Sequence, residues 1–201
     1  MMFNISKDNK ENFNEDIVIV DNFLDTFEFE RLTSIILPNS FNISLLPLYF
    51  NNKVNTYGLD SDWSCYYTHV IYQDYKIFSN EVFNIIKNDF LPKMEKEYNL
   101  KTLMRSKLNH FHNTETLKEF DPHHDFIFPH KGAVFSLNTC DGFTRIGGKE
   151  KYDINDPKIS SKTKKIDSVK NRMVFFNSAN YHNSTSTTNS SARININFNF
   201  H

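Results

Sequence analysis

Cysteine is nearly absent from this chain. Cys65 and Cys140 are too few for a disulfide framework, so a reducing compartment is the default expectation. No run approaches the ~18 apolar residues of a membrane-spanning helix, and residues 1–15 are polar, without the apolar centre of a signal peptide. A soluble, cytoplasmic protein is expected. Charge of one sign is also lacking. Lys and Arg number 23, Asp and Glu 24, and the net charge is −1, so no strong field points to nucleic acid or an acidic membrane. Glycine (5) and proline (6) are scarce. No linker divides the chain, and no internal repeat is visible.

What is present is aromatic: 20 Phe and 9 Tyr in 201 residues. A chain of this length makes one ordinary domain with a core of its own. Asparagine is abundant throughout and reads as coding bias. Ile17–Val20 reads as a strand, and Asp25 as the cap of a helix over 27–36, with Phe29, Leu32 and Ile36 at helical spacing. Residues 41–64 give no clear pattern beyond a turn at Tyr57-Gly58. Tyr66–Tyr72 reads as a strand. Ser79–Tyr98 reads as an amphipathic helix with Val82, Phe83, Ile86 and Phe90 on one face and a kink at Pro92.

From Met104 the pattern changes to strands: 104–111, 133–137, 172–176 and 192–200. Short strands, polar connections and no later helix suggest a sandwich or jelly roll. The expected class is mainly β with N-terminal helices, 1–103 supporting a core of 104–201. Lys149–Lys170 is polar and lysine-rich and reads as a surface loop. Its first part, 149–162, is expected to be mobile, and is either a lid at the open end that contacts the primary substrate or a passive surface insertion.

The chemistry gathers at Asp121-Pro122-His123-His124-Asp125-Phe126 and at Tyr181-His182. On extended backbone alternate residues point the same way, so His123 and Asp125 present an imidazole and a carboxylate together. His182 would complete a set of two histidines and one carboxylate. Such a set leaves positions of a metal open and is typical of non-haem Fe(II) oxygenases. His124 alternates away from them. Arg193 lies in the final strand, Ala192-Arg193-Ile194-Asn195-Ile196-Asn197-Phe198, and can face the same cavity.

The stretch 104–200 resembles the Fe(II)/2-oxoglutarate-dependent dioxygenases, most closely the prolyl 4-hydroxylase-like group with its small phage-encoded members. The resemblance rests on Lys107-Leu108-Asn109-His110-Phe111, His123-His124-Asp125, Ser136-Leu137-Asn138, Asp141-Gly142-Phe143-Thr144, Asn171–Phe176, His182 and Arg193. It implies a double-stranded β-helix with His123, Asp125 and His182 on Fe(II). It also implies 2-oxoglutarate with its distal carboxylate on Arg193, O₂ as cosubstrate, and ascorbate as an optional reductant. Asn109 and Phe111 would line the cosubstrate pocket, with Asn109 either bonding 2-oxoglutarate or satisfied by backbone. Many relatives carry tyrosine where Ser136 stands; a serine hydroxyl would need a bridging water to reach the carboxylate.

The activity so implied is hydroxylation of a peptidyl or free amino-acid, prolyl-like substrate, with release of succinate and CO₂. The partner would be a small molecule or peptide, in the host cytoplasm if the gene is viral. Two other readings stand beside it. One is a non-catalytic jelly-roll binding module, which the complete set with Arg193 argues against. The other is a dealkylase of nucleic-acid bases, which would carry a further arginine where Asn199 stands. Oligomeric state is left open.

Overall fold

The computed structural model describes residues 17–37, 46–54 and 64–201. The turn expected at Tyr57-Gly58 lies outside these. Strands β1 (Val18–Val20), β2 (Tyr49–Asn51), β3 (Tyr66–Gln73), β4 (Lys76–Ile77), β5 (Leu103–His112), β6 (Lys131–Ser136), β9 (Arg172–Asn177) and β11 (Ala192–Phe200) form the larger sheet. β7 (Phe143–Ile146), β8 (Lys164–Asp167) and β10 (His182–Ser184) form the smaller one. The larger sheet runs β1-β9-β6-β11-β5-β3-β2, with β4 beside β3, and the smaller runs β10-β7-β8. Every pairing is antiparallel.

Alternation along β11 shows how the fold divides its faces. Ile194, Ile196, Phe198 and Phe200 belong to the core under the helices, with Leu108, Phe135, Met173 and Phe175. The intervening Arg193, Asn195, Asn197 and Asn199 point to the other side, between the sheets, where all four are buried. A helix-facing sheet side is thus apolar, and the inner side is polar across β5 and β11. Two apolar clusters interrupt the polar inner side, a plug of Val134, Val174, Phe176, Ile146 and Ile166 and a group of Tyr66, Phe111 and Phe120.

The helices back the larger sheet. α1 (Thr26–Ile36) starts with a capping box: Asp25 accepts from the Glu28 N–H, and Glu28 from the Asp25 N–H. α2 (Asn80–Ile85) continues through a π turn (Ile86–Phe90) into α3 (Leu91–Tyr98). At that turn the Leu91 N–H reaches the Ile86 carbonyl. Pro92 follows at the start of α3, where its missing donor is tolerated. Val82, Ile85, Ile86, Phe90 and Met94 are buried against the sheet.

The reading of 149–170 as a loop without helix needs correction. It contains a short helix, α4 (Ile159–Lys162), and β8. Ile166 of β8 enters the apolar plug, and Tyr152 is buried.

Candidate metal centre and carboxylate pocket

A single backbone pairing brings the two histidines together. The segment before His123 runs antiparallel beside β10, with bridges Glu119–Thr185 and His123–His182. The His123 N–H donates to the His182 carbonyl and the His182 N–H to the His123 carbonyl, both at 2.9 Å. The ring centroids lie 4.9 Å apart. Asp125 follows on the same side, and the ligand atoms of His123, Asp125 and His182 all lie within 4.8 Å of one another.

Each imidazole is oriented by its own strand. Protonated at Nδ1, His123 donates to the Asp121 carbonyl at 3.3 Å and His182 to the Asn180 carbonyl at 3.0 Å. Both Nε2 lone pairs are then free for the cavity. The Nε2 of His182 is buried and has no hydrogen-bond partner, and it lies 3.8 Å from Asp125 Oδ2. Burial, with His182 nearby, pushes His123 down to about 4, so it is neutral near pH 7 and able to ligate.

Asp125 is held from several sides. Its Oδ2 accepts from Asn199 Nδ2 at 2.8 Å, Asn197 Nδ2 at 3.2 Å and Ser178 Oγ at 3.4 Å. Its Oδ1 lies 2.9 Å from Arg105 NH2. Burial alone would raise this carboxyl; the His182 imidazole and the Arg105 guanidinium beside it, foremost among its neighbours, hold it well below the ordinary range.

The far end of the pocket is built on Arg193, whose side chain is 1 % exposed. Its NH2 donates to Thr144 Oγ1 at 2.7 Å, and its guanidinium lies over the Phe111 ring at 5.6 Å. Nε and NH1 are buried without a partner, and burial pulls the guanidinium below the usual arginine range. A buried cation with two idle donors is costly unless an anion meets it. Gly142 makes room for it: a Cβ there would stand 2.5 Å from Arg193 Cδ and 2.6 Å from the Ser186 carbonyl oxygen.

The smaller sheet sets the distance between the two ends. Thr144 pairs with Ser184, and Ile146 with His182. His182 and Ser184 are alternate residues on one face, hence about 7 Å apart along the strand. The carboxyl carbons of an extended five-carbon dicarboxylate are about 5 Å apart from standard bond lengths. The backbone spacing of the two ends is thus of the order of such a molecule's length.

The remaining sequence candidates surround this space. Phe111 is buried between Tyr66 (5.4 Å) and Phe120 (5.3 Å). Asn109 donates to Asn195 Oδ1 at 3.1 Å, leaving Asn109 Oδ1 and Asn195 Nδ2 unpartnered. Ser136 stands opposite Asn195 in the sheet and is buried. The hydroxyl that meets Arg193 belongs instead to Thr144. His124 lies against Tyr181, with ring centroids 4.0 Å apart, outside the cluster.

Sequence reasoning missed Arg105, Lys107, Thr144, Asn195, Asn197 and Asn199. The alternation within 105–111 and 193–199 could have found most of them, since Arg105, Lys107, Asn109 and Phe111 pair with Asn199, Asn197, Asn195 and Arg193 on one face. Asn109, Asn195, Asn197 and Asn199 thus have structural partners within the site.

The expected lid is also corrected. Tyr152 donates to Asn183 Oδ1 at 2.6 Å. Asn183 in turn donates to Glu119, and Glu119 receives two bonds from Arg145. Asn183 and Arg145 alternate with His182 and Thr144, so this cluster lies on the side of the smaller sheet away from the histidines. Tyr152 thus anchors this otherwise polar segment behind the smaller sheet.

No protein-family model matches the sequence, and no curated protein matches it. Solved structures do. An oxidoreductase of the 2OG-Fe(II) oxygenase family from Burkholderia pseudomallei is 11% identical, with a TM-score of 0.65 over 92% of this chain and 84% of its own. A prolyl hydroxylase from Trichoplax adhaerens, solved with a hypoxia inducible factor peptide, is 13% identical, with a TM-score of 0.56 over 92% and 83%. The alpha-ketoglutarate-dependent epimerase SnoN of nogalamycin biosynthesis is 14% identical, with a TM-score of 0.61 over 92% and 77%. The chain thus has the fold of the 2OG-Fe(II) oxygenases, the double-stranded β-helix. No helix among the described residues is long and apolar enough to cross a membrane.

Proposed function

We propose that this protein is an Fe(II)- and 2-oxoglutarate-dependent oxygenase of the prolyl 4-hydroxylase-like group, akin to its phage-encoded members. The observation that carries the reading is Arg193. Its idle, buried guanidinium is bonded to Thr144, one strand spacing, about the length of a five-carbon dicarboxylate, from the part-buried cluster of two histidines and an aspartate. Related folds support it, since SnoN has been solved with Fe3+ and alpha-ketoglutarate and HygX with nickel and 2-oxoglutarate.

In this reading His123, Asp125 and His182 hold the metal, and Arg193 with Thr144 binds the distal carboxylate of 2-oxoglutarate. Asn109, Phe111 and Ser136 line the space between. When bound, iron and 2-oxoglutarate supply the activation of O₂, releasing succinate and CO₂ as the substrate is oxidised. The chain's own part is to keep the His123 imidazole neutral, to orient both imidazoles, to fix the carboxylate, and to orient the cosubstrate by a fork of donors. The substrate we propose is a peptidyl or free amino acid, prolyl-like, met in the cytoplasm.

Succinate formation, measured with Fe(II), 2-oxoglutarate and a panel of peptides and amino acids, tests the activity. Mn(II) binding tests the site. His123→Ala, Asp125→Ala or His182→Ala should each abolish it, and His124→Ala should leave it nearly intact. Metal loss in His124→Ala with retention in His123→Ala would sink this ligand set.

A further inference from the structure

Lys107 is a cation in the metal pocket that the scheme above leaves unused. It lines the same cavity as His123, Asp125 and His182. On β5 it stands opposite Asn197, whose amide holds Asp125, so it lies at the level of the metal cluster, whereas Arg193 lies opposite Phe111. Its Nζ donates to Tyr66 Oη at 3.4 Å and sits 5.5 Å from that ring's centre. The Tyr66 ring is fixed by stacking on Phe111. Among the described residues no carboxylate pairs with Lys107.

A lone ammonium beside a cation site is a poor arrangement for holding a cation, because the two charges repel. The neighbouring arginine does not change this, since Arg105 and Asp125 offset each other. The arrangement becomes favourable when an anion arrives with the metal. A dianionic 2-oxo acid would meet Arg193 at one end and the ion at the other, and Lys107 adds positive charge at the second end.

Resting on the oxygenase reading, we infer that Lys107 is a second cosubstrate-binding residue, gripping the carboxylate beside the 2-oxo group while Arg193 grips the distal one. The pocket is then a two-cation clamp, selective for dicarboxylates by charge at both ends. Tyr66 is the positioning residue that keeps the ammonium turned inward.

The clamp predicts effects of opposite sign, which a structural role does not. Calorimetry with Mn(II) and then 2-oxoglutarate, on wild type, Lys107→Met and Lys107→Arg, reads both. Mn(II) alone should bind Lys107→Met as tightly as wild type or more tightly, because a repelling charge is gone. 2-Oxoglutarate should bind the Mn(II)-loaded Lys107→Met protein on the order of 10- to 100-fold more weakly, and Lys107→Arg should recover part of the loss. Unchanged 2-oxoglutarate affinity in Lys107→Met would overturn the assignment. Parallel loss of metal and 2-oxoglutarate in both variants would overturn it too, showing that the lysine only supports the fold. Wild-type Mn(II) protein that ignores 2-oxoglutarate would instead bring down the oxygenase reading, and the clamp with it.

Discussion

Arg105 NH2 lies 2.9 Å from Asp125 Oδ1, an ion pair in which that nitrogen makes no aligned hydrogen bond. The other nitrogen of contact, Arg105 Nε, donates to Asn199 Oδ1 at 3.0 Å, and Asn199 donates back to Asp125 Oδ2. The guanidinium also lies over the Phe126 ring at 4.8 Å. The carboxylate that would hold a metal is therefore already compensated and fixed in place before any ion binds.

Removing that compensation should cost stability in the metal-free state. Arg105→Met leaves a buried carboxylate with only the Asn197 and Asn199 amides and the Ser178 hydroxyl as hydrogen-bond partners, and a broken buried pair costs about 3 kcal/mol. Urea unfolding of the metal-free proteins should show this loss. Mn(II) should recover more stability in the variant than in wild type, because the ion replaces the missing cation. Equal stability of the two metal-free proteins would mean that the pair holds nothing.

At the other end, Arg193→Ala should weaken 2-oxoglutarate binding by about 3–5 kcal/mol while sparing the metal. Arg193→Lys should be intermediate, since lysine keeps charge but not the fork. Thr144→Val removes one bond to the guanidinium and should cost about 1.5 kcal/mol of 2-oxoglutarate affinity. Calorimetry on Mn(II)-loaded proteins measures all three. Wild-type affinity in Arg193→Ala would remove the arginine from this role.

Acid should act through His123. Burial and the neighbouring His182 lower it from 6.5 to about 4, so an unfolded chain binds this proton at higher pH than the folded one does. Its destabilising effect is absent above about pH 6.5, develops as pH falls, and is complete near about pH 4. The loss is on the order of 3 kcal/mol for the metal-free protein. His123→Gln should flatten the profile in unfolding experiments across this window. A profile as steep as that of wild type would place the titration elsewhere.

Tyr152 tests the segment behind the smaller sheet. Tyr152→Phe strands the buried Asn183 oxygen and should cost about 1–2 kcal/mol, with Mn(II) affinity and substrate-stimulated turnover unchanged. Loss of that stimulation with intact metal binding and stability would restore a lid.

The longer strands of the larger sheet were legible because they carry strong alternation, whereas the short β2 and β4 were not. Ile194, Ile196 and Phe198 against Arg193, Asn195 and Asn197 can only be a strand with two different faces. The helices were legible for the same reason, through Asp25 and the stripe from Val82 to Phe90. β7, β8 and β10 were not. They are short: β7 and β8 each send one apolar side chain into the plug, Ile146 and Ile166, and β10 (His182-Asn183-Ser184) sends none, too few for a pattern. The fold places them by pairing with one another across long stretches of chain.

The sequence by itself determined which residue types were available: two imidazoles, a carboxylate and an arginine in extended segments whose alternation sets their facing. Tertiary structure decided which groups meet. Thr144 rather than Ser136 reaches Arg193, Arg105 and two asparagines hold Asp125, and Tyr152 ties the polar segment behind the smaller sheet. The physical reason is that alternation is a local property of one strand, whereas a hydrogen bond between strands depends on register, and register is set by packing of the whole sheet.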